Sequence, residues 1–236
     1  AFDILATSKR YSLFLGGIKK TAQEAEAIAA EALHYAQLSR DPRVIANSHI
    51  QIGMLRLDYD IRHQNSLAHF QKALDYYEAR GRIRGISTVI YNMALVYHLW
   101  GDLQRARALC ERSLRLKREI GDRAGEARRL SVLAAWDIEE EEFERAASAL
   151  AESRTICEEL GERRRLQHTA LQQAMLAMIV GEYSRSETLL QESLQLAQAT
   201  NAYESISRAY LGLLFLLTRR ITQAEQHIFQ SLHAHH

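Results

Sequence analysis

Two clusters of side chains in this sequence have residue types that could do chemistry. Four consecutive glutamates at residues 139–142 could act as acid and base or hold a hard cation. His233, His235 and His236 lie together at the C-terminal end and could bind a transition metal. A solvated helix end explains the glutamates equally well, and a frayed terminus or the remnant of a purification tag explains the histidines. The sequence also has no phosphate-binding loop, no serine nucleophile elbow and no His-Glu-x-x-His helix, so it predicts no enzyme, no metal site and no cofactor.

The charge and cysteine content exclude several classes of partner. Lys and Arg total 30 and Asp and Glu total 29, so the net charge is +1. A chain so nearly neutral lacks the excess of positive charge typical of direct nucleic-acid binding or of attachment to an anionic membrane. The longest strongly apolar stretch, residues 209–217, is shorter than the ~20 residues that a membrane span needs. Cys110 and Cys157 fit neither a disulfide framework nor a metal motif, which is typical of buried thiols in a cytoplasmic protein.

The secondary structure of the chain is predicted to be helical throughout. The sequence contains 1 proline and 11 glycines in 236 residues, fewer than the turns of a sheet protein of this size require. Hydrophobic residues make up 47% and charged residues 25%, which is typical of a globular chain. The sequence begins with Ala rather than Met, and we expect it to be a fragment of a longer protein.

Small residues recur at a nearly constant interval, which indicates an internal repeat. One series steps by 41, 40, 40, 40 and 38 residues, through Ala32, Ala73, Ser113, Ser153, Ser193 and Ser231. Two further series are Ser66, Ala106, Ala146, Ser186 and Ala224, and Gly53, Ala94, Ala134, Ala174 and Gly212. The predicted repeats are 1–40, 41–81, 82–121, 122–161, 162–200 and 201–236, all within a single domain.

Each repeat is predicted to be two amphipathic helices. In the third repeat, apolar residues have helical spacing over 86–100 and again over 103–120. Gly101-Asp102 and Gly121-Asp122 separate these segments, because glycine suits the left-handed residue after a helix and aspartate caps the next one. The small residues allow the two helices to cross closely.

These residues resemble the tetratricopeptide repeat. The clearest copy consists of Ile90, Met93, Ala94, Tyr97, Gly101, Ala106, Cys110 and Ser113. The resemblance covers about residues 20–232, with a ~40-residue period instead of the usual ~34. Such long repeats are similar to those of kinesin light chains, of Pins-type scaffolds and of the sensor arms of bacterial STAND, SARP and LuxR-type regulators. The resemblance implies an all-α, right-handed superhelix of five to six antiparallel helix pairs.

The resemblance also implies where a ligand binds, because the first helix of each repeat lines the concave face. The predicted ligand-binding residues are Asn47, Met54, Tyr91, Asn92, Leu95, His98, Arg128, Gln172, Met175, Met178 and Leu213. This face is apolar and contains methionine, which suits an amphipathic helix or an apolar peptide. The alternative is that these residues pack only against neighbouring repeats or a C-terminal helix. Three consecutive arginines at 163–165, at a turn between helices, are interpreted as solvated surface, and a basic patch for nucleic acid is the alternative.

One function of the family is excluded by the register. Chaperone-binding relatives hold a C-terminal carboxylate with a clamp of Lys, Asn and Arg. Asn92 and Arg128 fall on two clamp positions, but Ile50, Met54 and Val132 occupy three others. A cochaperone role is therefore not predicted.

The predicted function is a non-catalytic module that binds a protein or peptide segment, which could be another domain of the same chain. It would serve as the sensing or interaction arm of a bacterial signal-transduction or transcription regulator. A free-standing scaffold or a dimerising adaptor, with the chain as a homo-oligomer, is the alternative.

Overall fold

The structure, a computed structural model, describes residues 22–59, 64–200 and 204–233. These residues form helices and short turns, with no strand among them. The helices are α1 (Ala22–Leu38), α2 (Pro42–Tyr59), α3 (Gln64–Glu78), α4 (Ile83–Leu99), α5 (Leu103–Glu119), α6 (Arg123–Glu139), α7 (Phe143–Leu160), α8 (Arg163–Ile179), α9 (Tyr183–Thr200), α10 (Glu204–Leu217) and α11 (Ile221–His233). The predicted all-α class is confirmed. Residues 1–21 of the first predicted repeat lie outside the described part of the chain.

The chain divides into two compact units, Ala1–Gly121 and Asp122–His236. Unit 1 contains α1–α5 and unit 2 contains α6–α11. The boundary coincides with a predicted repeat boundary, and the single domain expected from the sequence stays a prediction.

Within each unit, the helices pack as successive pairs. Each even-numbered helix packs along the odd-numbered helix that follows it. Because the turns between paired helices are short, the two members run antiparallel. Neighbouring even-numbered helices also touch, α2 with α4 in unit 1, and α6 with α8 and α8 with α10 in unit 2. We call the even-numbered helices the A helices and their solvent-facing side the A-helix face.

The turns between helices have the predicted chemistry. The Asp102 carboxylate accepts a hydrogen bond from the Arg105 amide at 3.1 Å, and Asp122 accepts one from the Gly125 amide at 2.9 Å. Both aspartates therefore cap helices as expected. Gly101 has a φ of 79°, and the corresponding turn of the next repeat places Glu141 at a φ of 61°. The glutamates at 139–142 are thus an exposed helix end and turn.

The small residues lie where paired helices cross. Ala94 and Ala134 are fully buried in α4 and α6, as are Ala106 and Ala146 in the helices that follow. At Gly53, a Cβ atom would lie 2.5 Å from the Phe70 ring. The close crossings predicted from the sequence are therefore present.

Repeated serines also bond the paired helices to each other. The hydroxyl of Ser113 donates to the Ser87 carbonyl at 2.8 Å, and the hydroxyl of Ser153 donates to the Ala127 carbonyl at 3.1 Å. Ser193 makes the same bond across 26 residues, to the Gln167 carbonyl at 3.3 Å. Serine at this position thus fills a small space and satisfies its own buried hydroxyl.

The core of each unit lies between its paired helices. In unit 1, buried residues cluster around Phe70, Val89 and Ile90. In unit 2, one cluster surrounds Leu150 and another surrounds Leu190. These clusters fix the A helices and so position the face described next.

Candidate ligand-binding face

Three of the six predicted residues of unit 1 are bonded, packed or buried within the unit. Asn47 accepts a hydrogen bond from the Tyr77 hydroxyl of α3 at 2.5 Å. Met54 packs against the core cluster around Phe70. Asn92 is only 6% exposed, so it does not reach the open surface.

The remaining predicted residues of unit 1 lie on α4. Tyr91, Leu95 and His98 are each half-buried. That they contact a ligand stays a prediction.

In unit 2, one of the predicted residues bonds two helices together, and the others are buried, half-buried or exposed to solvent. The side-chain amide of Gln172 donates to the Ser131 carbonyl at 3.0 Å and so ties α8 to α6. Met175 is half-buried, and Met178 is 9% exposed within the cluster around Leu190. Asn92 and Met178 were expected on the open face, and the structure instead buries both.

The open part of unit 2 contains apolar side chains on α10. Leu213 is 44% exposed, as predicted for an open position. Ile206 is 39% exposed and Leu216 is 44% exposed on the same helix. Exposed apolar side chains grouped on one helix are typical of a binding surface.

A pocket of about 350 Å³ lies between α6 and α8 on the same face. We call it the basic pocket, and its lining residues are Arg128, Ser131, Val132, Glu162, Arg164, Arg165 and His168. Arg128 and His168 stand 40 residues apart, so the repeat places them at the same position of neighbouring A helices. Three arginines and a single carboxylate give the lining a surplus of positive charge.

Two arginines of the basic pocket lack carboxylate partners. Within the described ranges, no carboxylate pairs with Arg128 or Arg165, and the buried Nε of Arg165 has no hydrogen-bond partner. Other arginines of unit 2 are paired, such as Arg154 with Glu192 at 2.5 Å. Arg123, Arg145, Arg185, Arg208 and Arg220 likewise have carboxylate partners. The basic pocket therefore differs in charge from the rest of unit 2.

His168 completes the basic pocket without adding a full charge. Burial lowers the pKa of His168 below its ordinary value of 6.5, and the nearby Arg165 lowers this pKa further. The imidazole is therefore mainly neutral near pH 7 and can accept or donate a hydrogen bond.

Arg165 stands out in the sequence as one of three consecutive arginines, but we did not predict that it lines a pocket. The arginines at 163–165 were expected to be solvated, and Arg163 and Arg164 are exposed. Arg165 instead lies one turn before His168 and is partly buried. The sequence did contain a signal for this: Arg165 precedes His168 by three residues, a spacing that places both side chains on the same side of a helix.

The described residues do not include a cluster suited to metal binding. Across 22–59, 64–200 and 204–233, no group of three or more His, Cys, Asp or Glu side chains could hold a metal ion. His49 and His69 form a pair whose Nδ1 atoms lie 2.8 Å apart, at hydrogen-bond distance. His235 and His236 of the C-terminal cluster lie outside the described residues. Among the helices of the described part, none is both long and apolar enough to span a membrane.

Comparison with known families identifies the repeat. Residues 85–159 match the family model of the tetratricopeptide repeat. This match includes α4, where Tyr91, Leu95 and His98 lie, and Arg128 of the basic pocket. No curated protein matches the chain.

Solved structures share the arrangement of helices. The crystal structure of BtubC from P. vanneervenii is similar with a TM-score of 0.76 and 17% identity, over 92% of both chains. A STAND protein with a tetratricopeptide repeat sensor from Pyrococcus horikoshii has a TM-score of 0.72 and 14% identity. That likeness covers 98% of this chain and 36% of the STAND protein. NprR in complex with its cognate peptide NprX has a TM-score of 0.64 and 17% identity, over 99% of this chain and 68% of NprR. At these identities the likeness concerns the fold.

Proposed function

The chain is a tetratricopeptide-repeat protein, and we propose that it is a non-catalytic module whose A-helix face in unit 2 binds a peptide segment. The segment belongs to a partner protein or to another domain of the same chain. Catalysis is not part of the proposal.

The observation that carries this proposal is the open surface of unit 2. Leu213 and Leu216 are each 44% exposed on α10, beside an A helix that also borders the basic pocket. Burying apolar surface is favourable by about 25 cal/mol per Å². An extended or helical peptide could cover α10 and reach α8 at the same time.

The similar proteins support a finer role. One has a tetratricopeptide repeat sensor in a signal-transduction ATPase, and another is NprR with its cognate peptide. We therefore propose that this chain is the sensing arm of a cytoplasmic bacterial regulator of signal transduction or transcription. Direct contact with nucleic acid or membrane is not part of this role, because the net charge is only +1.

A display selection tests the binding face. Random dodecapeptides are selected against the full 236-residue chain, and the affinity of an enriched peptide is measured by fluorescence anisotropy. Leu213→Glu and Met175→Glu should each weaken binding at least about tenfold, because each places a charge in the apolar contact. Circular dichroism checks that both variants keep their helix content.

The matched control lies on the other layer of the same unit. Ser148 is exposed on α7, so Ser148→Glu adds the same charge away from the A-helix face. This variant should bind as tightly as the parent. Loss of binding in Ser148→Glu with normal binding in the two A-helix variants would show that the wrong face was chosen. Failure to enrich any peptide that competes for this face would contradict the proposal.

A second candidate function is self-association through α11. Ile228, Phe229 and Leu232 are 37%, 63% and 69% exposed on this helix. Their exposure favours a dimerising adaptor, with a second copy covering α11. Sedimentation equilibrium of the parent and of the Phe229→Ser/Leu232→Ser double variant tests it. A dimer that persists in the variant, or a parent that stays monomeric at high concentration, excludes this route.

A further inference from the structure

We infer that the basic pocket binds the side-chain carboxylate of an aspartate or glutamate in the docked peptide, with Arg128 and Arg165 as its ligands. This inference rests on the proposed function and adds the chemistry of the partner: an acidic residue accompanied by apolar residues.

The basic pocket contains an unsatisfied hydrogen-bond donor. The Nε of Arg165 is buried and has no hydrogen-bond partner. A buried donor without an acceptor is destabilising, and in folded proteins such groups are usually bonded to protein, water or ligand. An acceptor entering the basic pocket would satisfy it.

Several other arginines of unit 2 are held in ion pairs, whereas Arg128 and Arg165 are not within the described ranges. Arg154, for instance, binds Glu192 at 2.5 Å and Glu158 at 2.8 Å. Arg128 and Arg165 have no such partner among the described residues, although both line one pocket. Two guanidinium groups on neighbouring A helices are thus left to bind an external anion. A guanidinium presents parallel N–H donors that match the two oxygens of a carboxylate.

The composition of the basic pocket favours a monoanion. Glu162 lies in the same lining as Arg128, Arg164 and Arg165. The formal charge of the lining is therefore 3 − 1 = +2, with His168 neutral. Glu162 repels a phosphate dianion more strongly than a carboxylate. Nucleic acid would need a continuous series of unpaired cations, whereas Arg123, Arg154 and Arg220 of unit 2 are already paired with carboxylates.

The surroundings favour a peptide as the source of the carboxylate. Val132 forms an apolar part of the wall, and α8, which borders the basic pocket, also touches α10 with its exposed Leu213. An acidic side chain in the pocket and apolar side chains on α10 can come from one segment. Apolar contacts would supply affinity and the carboxylate would fix the register.

The experiment uses a small probe and observes Arg165 itself. Glutamate blocked as N-acetyl and N-methylamide is titrated into the ¹⁵N-labelled full chain at constant ionic strength. Blocked glutamine is the neutral control, and inorganic phosphate is the competing anion. Blocked glutamate should move the Arg165 Nε–H resonance downfield in a saturable manner, because a hydrogen bond forms there. Blocked glutamine should leave it in place.

Two matched variants test the charge. Arg128 is exposed, so Arg128→Gln should fold normally and weaken the blocked-glutamate titration about tenfold. Arg163→Gln removes the same charge from the first residue of α8, outside the pocket lining, and should leave the titration unchanged.

Several results would overturn the inference. These are an Arg165 resonance that does not respond to blocked glutamate, a tighter response to phosphate, and equal effects of Arg128→Gln and Arg163→Gln. The proposed function fails by a different result, the absence of any selected peptide on the A-helix face. Selected peptides that bind independently of Arg128 leave the proposed function intact and refute the inference alone.

Discussion

The A-helix faces of unit 1 and unit 2 come from the same repeat but differ in what they leave open. In unit 1, α3 contacts two polar side chains of α2: Tyr77 donates to Asn47, and His69 lies within hydrogen-bond distance of His49. In unit 2, Arg128 and Arg165 line a pocket without carboxylate partners in the described part of the chain. The shared repeat therefore sets the close helix contacts, and side chains outside those contacts decide which polar groups of each unit have partners within it.

The largest expected effect on stability comes from the close helix crossing that the two units share. Ala94 and Ala134 are fully buried at equivalent positions of α4 and α6. Ala94→Phe and Ala134→Phe should each lower the free energy of unfolding by about 3 kcal/mol, the upper part of the range for overpacking. Thermal melts should show large decreases for both.

The control for these variants is Glu140→Ala at the exposed end of α6. The free energy of unfolding of this variant should stay within about 0.5 kcal/mol of that of the parent. Midpoints equal to that of Glu140→Ala would mean that these alanines are not close contacts. A large effect in only one unit would show that the units do not share this contact.

A second pair of variants compares how the units respond to an added methyl group. A Cβ at Gly53 would lie 2.5 Å from the ring of Phe70, which is fully buried. A Cβ at Gly212 would lie 2.6 Å from Ile228, which is 37% exposed and can move. Gly53→Ala should destabilise by about 1–2 kcal/mol, because overpacking exceeds the ~1 kcal/mol gain in helix propensity. Gly212→Ala should destabilise less than Gly53→Ala, because Ile228 is partly exposed, and urea denaturation of both variants measures the difference. An equal loss in both would contradict this difference.

The third prediction concerns the turns between paired helices. Gly101 in unit 1 has a φ of 79°, and Glu141 in unit 2 has a φ of 61°. A left-handed conformation costs a residue with a side chain about 1 kcal/mol. Glu141→Gly should therefore raise the unfolding free energy by about that amount, and Gly101→Ala should lower it similarly, since nothing lies within 4 Å of the added Cβ. A destabilised Glu141→Gly variant would show that the glutamate has a compensating contact.

The smallest expected effect is a dependence of stability on pH. Burial lowers the pKa of His49 below 6.5, and Lys72 lowers it further; His69 is its neighbour across the 2.8 Å contact. Below about pH 6.5 the unfolded chain then binds more protons than the folded one, so stability should fall as the pH decreases. In unit 2 the pKa of His168 is lowered by burial and then by Arg165.

Urea denaturation at pH 7.5 and 5.5 measures this effect. The loss of stability between the two pH values should be smaller in His49→Gln and in His168→Gln than in the parent. A blocked-glutamate ligand should reduce the contribution of His168 to this loss of stability, since a nearby anion favours the imidazolium. The contribution of His49 should stay unchanged. An identical pH dependence in parent and variants would contradict the predicted titration.

Much of the fold was predictable because its signals are local and periodic. The ~40-residue spacing of small residues predicted the close contacts at Ala94 and Ala134. Gly101-Asp102 and Gly121-Asp122 predicted turns and caps, since a cap depends on residues only three apart. The all-helical class followed from the same signals.

The candidate site was only partly predictable. The register placed Arg128 and Leu213 on the A-helix face, where the structure also has them. It placed Asn92 and Met178 there too, and the structure buries both. Burial of such residues depends on packing between helices and not on the position within one repeat.

What the sequence determined by itself is the repeat, its turns and the helical class, because these depend on neighbouring residues and on their period. What only the tertiary structure decided is which arginines remain unpaired. Arg154 meets Glu192 from 38 residues away, and Arg220 meets Glu187 from 33 residues away. Arg128 and Arg165 meet no such carboxylate in the described chain. An ion pair forms only where folding brings the two charges within a few ångströms, and neither composition nor period specifies that distance.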